Sequence, residues 1–275
     1  MYKSTSAAHF SLFYFEHLVQ SCGVILMKKL KMLLRPALIA AVVLLCALAA
    51  TYLTTPHEKT VGAEHISDAK KQIALTFDDG PGDDTMRLLD GLRERGVKAS
   101  FFLMGRKVEK RPEAVAQMYA DGHLIGNHSF SHISFFANAE DEIAAELART
   151  DDAIEAVTGE RTRFYRPPYG YYFGWQLNAI DKIAVLWSDT PRDWVNTDED
   201  YIYDYLVSHA RDGEVILLHD TKPGTVSAAL RAIDTLSAQG YEFVRADELL
   251  CRSGALLAPG LGYRMCLDGA PPFYF

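Results

Sequence analysis

The chain has 275 residues and a mass of 30.7 kDa, with 49% hydrophobic, 11% aromatic and 23% charged residues. That is enough apolar content for a full core, and it excludes a disordered or fibrous chain. The 28 Lys and Arg against 36 Asp and Glu leave a net charge of −8, unevenly spread. Residues 1–53 hold five bases (Lys3, Lys28, Lys29, Lys31, Arg35) and one acid (Glu16), so residues 54–275 carry a net of −12. So acidic a body is no partner for nucleic acid, whose phosphates are held by Lys and Arg.

Residues 37–53 (ALIAAVVLLCALAATYL) are apolar except at Thr51 and follow the basic cluster Lys28, Lys29, Lys31 and Arg35. A basic flank ahead of an apolar run is an export signature. Its length falls between a signal peptide and a membrane span, and Ala47-Leu48-Ala49 offers a cleavage site, so a secreted form and a form held at the membrane are both open. Met27 opens a conventional MKKLK start, which makes residues 1–26 read as an upstream extension. Residues 54–71 are polar and aperiodic, a linker. Residues 72–250 then read as one catalytic domain and 251–275 as a C-terminal tail.

Within 72–250 short apolar runs alternate with helical patterns. Gln72 to Phe77 is expected as a strand, Thr85 to Arg95 as a helix closed by Gly96, and Val97 to Leu103 as a second strand. Glu113 to Asp121 is expected to be helical between Pro112 and Gly122, where those residues are best tolerated. Leu124 to Asn127 reads as a strand, and Ala139 to Thr158 as a long helix stopped by Gly159. Further strands are expected at Phe164 to Arg166, Ile183 to Trp187, Val215 to His219 and Glu242 to Val244, with helices at about Asp198 to Ala210 and Val226 to Gln239. Strands alternating with helices imply a parallel sheet wrapped by helices, and about seven such units favour an α/β barrel in a single domain. Among the four cysteines there is no CxxC pair. A Cys251–Cys266 bridge would staple the glycine-rich tail; two unrelated thiols is the alternative.

In a parallel barrel, chemistry sits where strands end. Asp78 and Asp79 end the first strand, His128 and His132 follow Leu124 to Asn127, Arg166 ends the next, Asp193 follows Trp187, and His219 ends Val215 to Leu218. Each signal alone is weak: Asp-Asp-Gly-Pro is also ordinary turn chemistry, and an HxxxH pair is common. Four-residue spacing on a helical turn stacks two imidazoles within reach of one ion, and adjacent acids at a strand end repel unless a cation or an arginine separates them. The set together is far harder to obtain by accident.

These residues carry a resemblance. Thr76-Phe77-Asp78-Asp79-Gly80-Pro81, His128-Ser129-Phe130-Ser131-His132, Arg166-Pro167-Pro168-Tyr169-Gly170, Asp193-Trp194 and Val215-Ile216-Leu217-Leu218-His219 resemble, in order, the five motifs of the polysaccharide deacetylases of carbohydrate esterase family 4. The resemblance spans about two-thirds of the chain. It implies a distorted (β/α) barrel, commonly of seven strands, and removal of acetyl groups from a polysaccharide. Asp79, His128 and His132 would hold a divalent metal, most often zinc. Asp78 would be the general base, with Arg166 as its ionic partner, and His219 the general acid, tuned by Asp193. The backbone N–H of Tyr169 would help bind the oxyanion.

Leu217 and Trp194 match residues that wall the acetyl pocket, and Pro167, Pro168 and Tyr169 would form one side of the sugar groove; for Leu217 and Trp194, plain core is the alternative. The aromatic run Tyr169, Tyr171, Tyr172, Phe173 and Trp175 suits stacking on sugars or a self-packed loop. Two departures stand out: Asp189 falls one position early in the fourth motif and receives no role, and residues 171–183 are short for a full helix and turn. The expected substrate is N-acetylglucosamine of peptidoglycan. Chitin oligomers, poly-N-acetylglucosamine, muramic acid and acetylxylan are rivals, and a catalytically silent wall-binding module is the alternative of another class.

Overall fold

The computed structural model describes residues 70–266. The apolar leader at 37–53, the upstream extension and nearly all of the linker lie outside the described residues. No helix among the described residues is long and apolar enough to cross a membrane.

Strands β1 (Lys71–Gly80), β2 (Ser100–Leu103), β3 (Leu124–Asn127), β4 (Phe164–Tyr165), β5 (Ile183–Val185), β6 (Val215–His219), β7 (Tyr241–Phe243) and β8 (Gly262–Tyr263) alternate with helices α1 (Thr85–Glu94), α2 (Gly105–Val108), α3 (Pro112–Ala120), α4 (Glu140–Thr158), α5 (Gly174–Ala179), α6 (Glu199–His209), α7 (Pro223–Ala238) and α8 (Ala246–Cys251). Seven strands follow one path, β6-β1-β2-β3-β4-β5-β8, each pair parallel, while β7 pairs with the first residues of β1. The sheet curls into a distorted barrel. Its open side, between β6 and β8, is bridged by single pairs, Asp189 with Ile216 and Glu214 with Met265.

Ile73 to Asp78 are buried without alternation, as expected of a parallel strand covered on both faces. Leu88, Leu89 and Leu92 of α1 and Ala229, Ile233 and Leu236 of α7 pack with Phe77 and Phe101 in the main core. The acidic first turn of α4 (Glu140, Asp141, Glu142) suits the positive end of a helix, and Gly159, at φ 78°, ends it in the left-handed conformation.

The expected strands and long helices are present with ends shifted by up to three residues. Val97 to Ala99, which lead from the turn at Gly96 into the sheet, lie outside β2; Arg166 lies outside β4, and Leu186 and Trp187 outside β5. Three short helices, α2, α5 and α8, and strand β8 were not expected. The six-residue α5 accounts for the short stretch after Tyr171. In the tail, Gly262 and Tyr263 extend the sheet beside Ala184 and Val185 despite their glycine- and proline-rich surroundings.

The Cys251–Cys266 staple is not formed: both thiols are free, Cys251 exposed and Cys266 buried. The tail is instead held by backbone pairing, with Cys266 N–H donating to Gly213 O at 2.9 Å. Gly213 allows this approach because it sits at φ 85° with Cys266 O only 1.7 Å from where a Cβ would stand.

Candidate active site

Strand ends place the polar residues in one cavity of about 300 Å³. Asp78 and Asp79 arrive on β1, and Asp78 is in register with His219 of β6. His128 and His132 lie on the loop after β3. Four non-glycine residues of these loops have positive φ: Asp79 (66°), Ser129 (61°), His132 (66°) and Tyr169 (61°). Such backbone costs about 1–3 kcal/mol each and persists where surrounding contacts over-determine it. Here Ser129 N–H donates to Asn127 Oδ1, and Ser129 Oγ accepts from His132 N–H, both at 2.9 Å. The HxxxH pair is therefore set by a locked loop, not by the helical turn the spacing allowed.

Asp79, His128 and His132 each offer a ligand atom, all within 4.8 Å of one another. His128 Nδ1 lies 2.8 Å from the carbonyl of Arg166. A carbonyl only accepts, so Nδ1 carries the proton and Nε2 presents a lone pair to the cavity. That lone pair faces Asp79 Oδ1 at 3.6 Å and Asp78 Oδ2 at 3.7 Å, and His132 Nε2 lies 3.2 Å from Asp79 Oδ1. Asp79 Oδ1 is buried and has no hydrogen-bond partner among the described residues. An orphaned carboxylate oxygen among converging imidazole nitrogens fits a divalent cation, and two imidazoles with one carboxylate leave positions for water and substrate. Burial, then the neighbouring His128, lowers the His132 pKa, which keeps the imidazole neutral and able to ligate. Asp79 is ionised readily: burial opposes it, but His128, His132, His219 and Lys107 outweigh that and lower its pKa.

Arg166, fully buried, donates from Nη1 to Asp78 Oδ1 (2.7 Å) and Thr76 Oγ1 (2.8 Å), from Nε to Val185 O (2.8 Å) and from Nη2 to Leu186 O (2.9 Å). Its guanidinium also lies 4.1 Å from the Phe102 ring centre. Four of the five guanidinium N–H groups are used, and Asp78 is clamped through Oδ1 and keeps Oδ2 toward the cavity.

His219 is oriented by Asp193, whose Oδ1 lies 2.8 Å from Nδ1 and whose Oδ2 accepts from the His219 backbone N–H (2.8 Å) and Thr225 Oγ1 (2.9 Å). Nε2 is thereby aimed toward Asp79, 4.0 Å from Oδ2. Burial lowers the His219 pKa, but the Asp193 bond and charge, with Asp78 and Asp79, prevail and raise it.

Tyr169, Trp194 and Leu217 line the cavity, the Trp194 ring edge-on to His219 at 5.5 Å. Pro167 and Pro168 are buried and are not among the lining residues; they shape the turn that presents Tyr169. Asp189 accepts from Tyr205 Oη (2.6 Å) and its own loop, a structural role. Sequence reasoning missed Trp187 as a lining residue, and Lys107, whose Nζ donates to the Asp79 carbonyl at 2.6 Å. It also missed buried Asp220, which accepts from Thr85 Oγ1 and packs so closely on Gly80 that a Cβ there would stand 2.5 Å from Oδ2. An aspartate following His219 was visible in the sequence; nothing local marked Lys107.

A carboxylate and two imidazoles set for a cation, with a clamped carboxylate and an oriented imidazole in the same cavity of a parallel barrel, define a metal-centred hydrolytic site. Residues 65–184 match the family model described as polysaccharide deacetylase. The chain is 35% identical over 198 residues to a peptidoglycan-N-acetylglucosamine deacetylase of Bacillus cereus, covering 67% of this chain and 91% of that protein. It is 34% identical over 198 residues to the peptidoglycan-N-acetylmuramic acid deacetylase PdaC of Bacillus subtilis, covering 72% of this chain but only 41% of PdaC. Among solved structures, a family 4 acetyl xylan esterase from Clostridium thermocellum in complex with a cobalt ion superposes with a TM-score of 0.63 at 35% identity, covering 68% of this chain and 93% of that one. The chain belongs to the polysaccharide deacetylase family.

Proposed function

We propose that this protein is a metal-dependent hydrolase that removes N-acetyl groups from cell-wall polysaccharide, with N-acetylglucosamine of peptidoglycan as its substrate. The observation that carries the reading is the meeting in one cavity of three ligand atoms, a clamped carboxylate and an oriented imidazole. The Bacillus cereus relative, 91% of which this chain spans, supports the choice of sugar. Zinc suits the donor set of two imidazoles and one carboxylate.

Asp79, His128 and His132 would hold the cation, which when bound would polarise the acetyl carbonyl and acidify a water. Asp78 takes the proton of the attacking water at Oδ2, since Oδ1 is held by Arg166. The backbone N–H of Tyr169 donates to the developing oxyanion. His219 Nε2 then protonates the departing sugar amine, which leaves poorly as an anion, while Asp193 fixes the tautomer through Nδ1. Leu217 and Trp194 bound the pocket for the acetyl methyl. The leader at 37–53, with its basic flank, supports export and either release to the wall or anchoring in the membrane with the barrel facing outward.

The test is acetate release from peptidoglycan, chitin oligomers and acetylxylan by the full chain and by Asp78→Asn, each with and without a chelator. Release from peptidoglycan that falls at least about a thousandfold on either change is expected. Release indifferent to both overturns the mechanism; release from acetylxylan alone overturns the substrate; and polymer binding without release from any substrate favours the silent module.

A further inference from the structure

The cavity does not end the aromatic surface on the Tyr169 side. Beyond the turn at Tyr169 and Gly170, both at positive φ, the chain is extended at Tyr171 and Phe173, whose side chains share a face. Tyr169, Tyr171 and Phe173 are exposed at 57%, 65% and 40%, whereas Tyr172 between them packs on the core. Trp175, in the first turn of α5, is 52% exposed and stacks on Phe173 with 5.9 Å between ring centres and 10° between planes. From the loop after His132, Phe136 is 61% exposed and stacks on the same Phe173 at 4.7 Å and 25°.

Three neighbouring rings left this open in water are unfavourable unless something covers them. Their backbones are also tied together. Gln176 Nε2 donates to Phe135 O and Gln176 Oε1 accepts from Phe173 N–H, both at 2.7 Å, so one buried side chain ties the two ring-bearing segments together. Buried Phe135 anchors the turn that carries Phe136.

We propose that Phe136, Phe173 and Trp175 form a distal sugar-stacking platform that binds the polysaccharide strand beyond the residue being deacetylated. The inference rests on the glycan reading given above. The occupant follows from continuity: Tyr171 both lines the cavity and precedes Phe173 by one extended two-residue step, about 7 Å. The chemistry follows from the rings. Their negative faces attract the weakly positive C–H faces of a pyranose, and a pre-stacked platform on tied backbones loses less entropy on binding than separate rings would. A strand that fills the catalytic cavity and continues over the platform gains affinity that a short one lacks.

The test compares N-acetylglucosamine oligomers of two, four and six units on the full chain, on Phe136→Ala/Trp175→Ala and on the conservative Phe136→Tyr/Trp175→Phe. Acetate release gives KM and kcat, and calorimetry gives direct binding. The expected result is a KM for the hexamer raised about tenfold in the alanine variant. The disaccharide's kcat/KM and the hexamer's kcat stay within about twofold, and the conservative variant keeps the parent KM. Equal KM at every length, or a loss shared equally by all lengths, overturns the platform, as does binding to phosphatidylglycerol vesicles that weakens in the alanine variant while oligomer binding does not. If the parent releases no acetate from these oligomers or from peptidoglycan but binds the hexamer through these rings, the deacetylase reading fails and the platform stands.

Discussion

Arg166→Met tests whether the barrel interior is organised around a buried ion pair. Methionine keeps an apolar, polarizable chain against Phe102 while removing four hydrogen bonds and the charge opposite Asp78, which is itself 3% exposed. Removing one partner of such a pair strands the other charge and costs about 3–5 kcal/mol. At about 2–4 °C per kcal/mol for a domain of this size, Tm falls by about 6–20 °C. Thermal melting with parallel urea unfolding measures it. The companion variants Asp78→Asn and Asp78→Asn/Arg166→Met complete a cycle. The double variant retains no stranded charge and is expected to be more stable than the sum of the single changes by about 1–3 kcal/mol. A Tm within about 2 °C of the parent for Arg166→Met, or strict additivity in the cycle, refutes a desolvated, coupled pair.

Two pH dependences follow from the histidines. His219 has a raised folded-state pKa, so its acid form persists to higher pH and kcat falls as pH rises through that value; Asp193→Asn removes the raising partner and moves the alkaline limb of the kcat profile to lower pH, whereas an unmoved limb denies Asp193 this role. His123 accepts the Ala99 N–H at Nδ1, and burial, with the Lys98 charge, pushes it down to about 4. A depressed histidine lets the unfolded chain bind its proton first, so stability is lost as pH falls from about 6.5 towards 4, by on the order of 3 kcal/mol. His123→Gln should flatten that part of the urea-stability profile, and an unchanged acid slope would count against it.

By itself the sequence determined the layer architecture, because a buried parallel strand such as Ile73 to Phe77 must be apolar on both faces, and helices such as α4 carry their own stop signals. It also determined the identities of the polar residues, since strand-end chemistry leaves Asp78, Asp79, His128, His132, Arg166 and His219 at recognisable places in chain order. Tertiary structure decided what local pattern does not encode. Strand β8 pairs with the edge that Ala184 and Val185 offer, which a two-residue segment beginning at Gly262 does not announce locally. Cys251 and Cys266 are free thiols, and backbone pairing at Gly213 holds the tail without a bridge. Lys107 reaches the Asp79 carbonyl from 28 residues away, and Asp220 packs on Gly80 from the end of the neighbouring strand β6. Pro167 and Pro168 went inward while Tyr169 went outward, because one residue at positive φ reverses which side chain the turn exposes. Motif order is a property of the chain, whereas the distances that make a lone pair, a carboxylate and a proton donor share one cavity belong to the packed sheet.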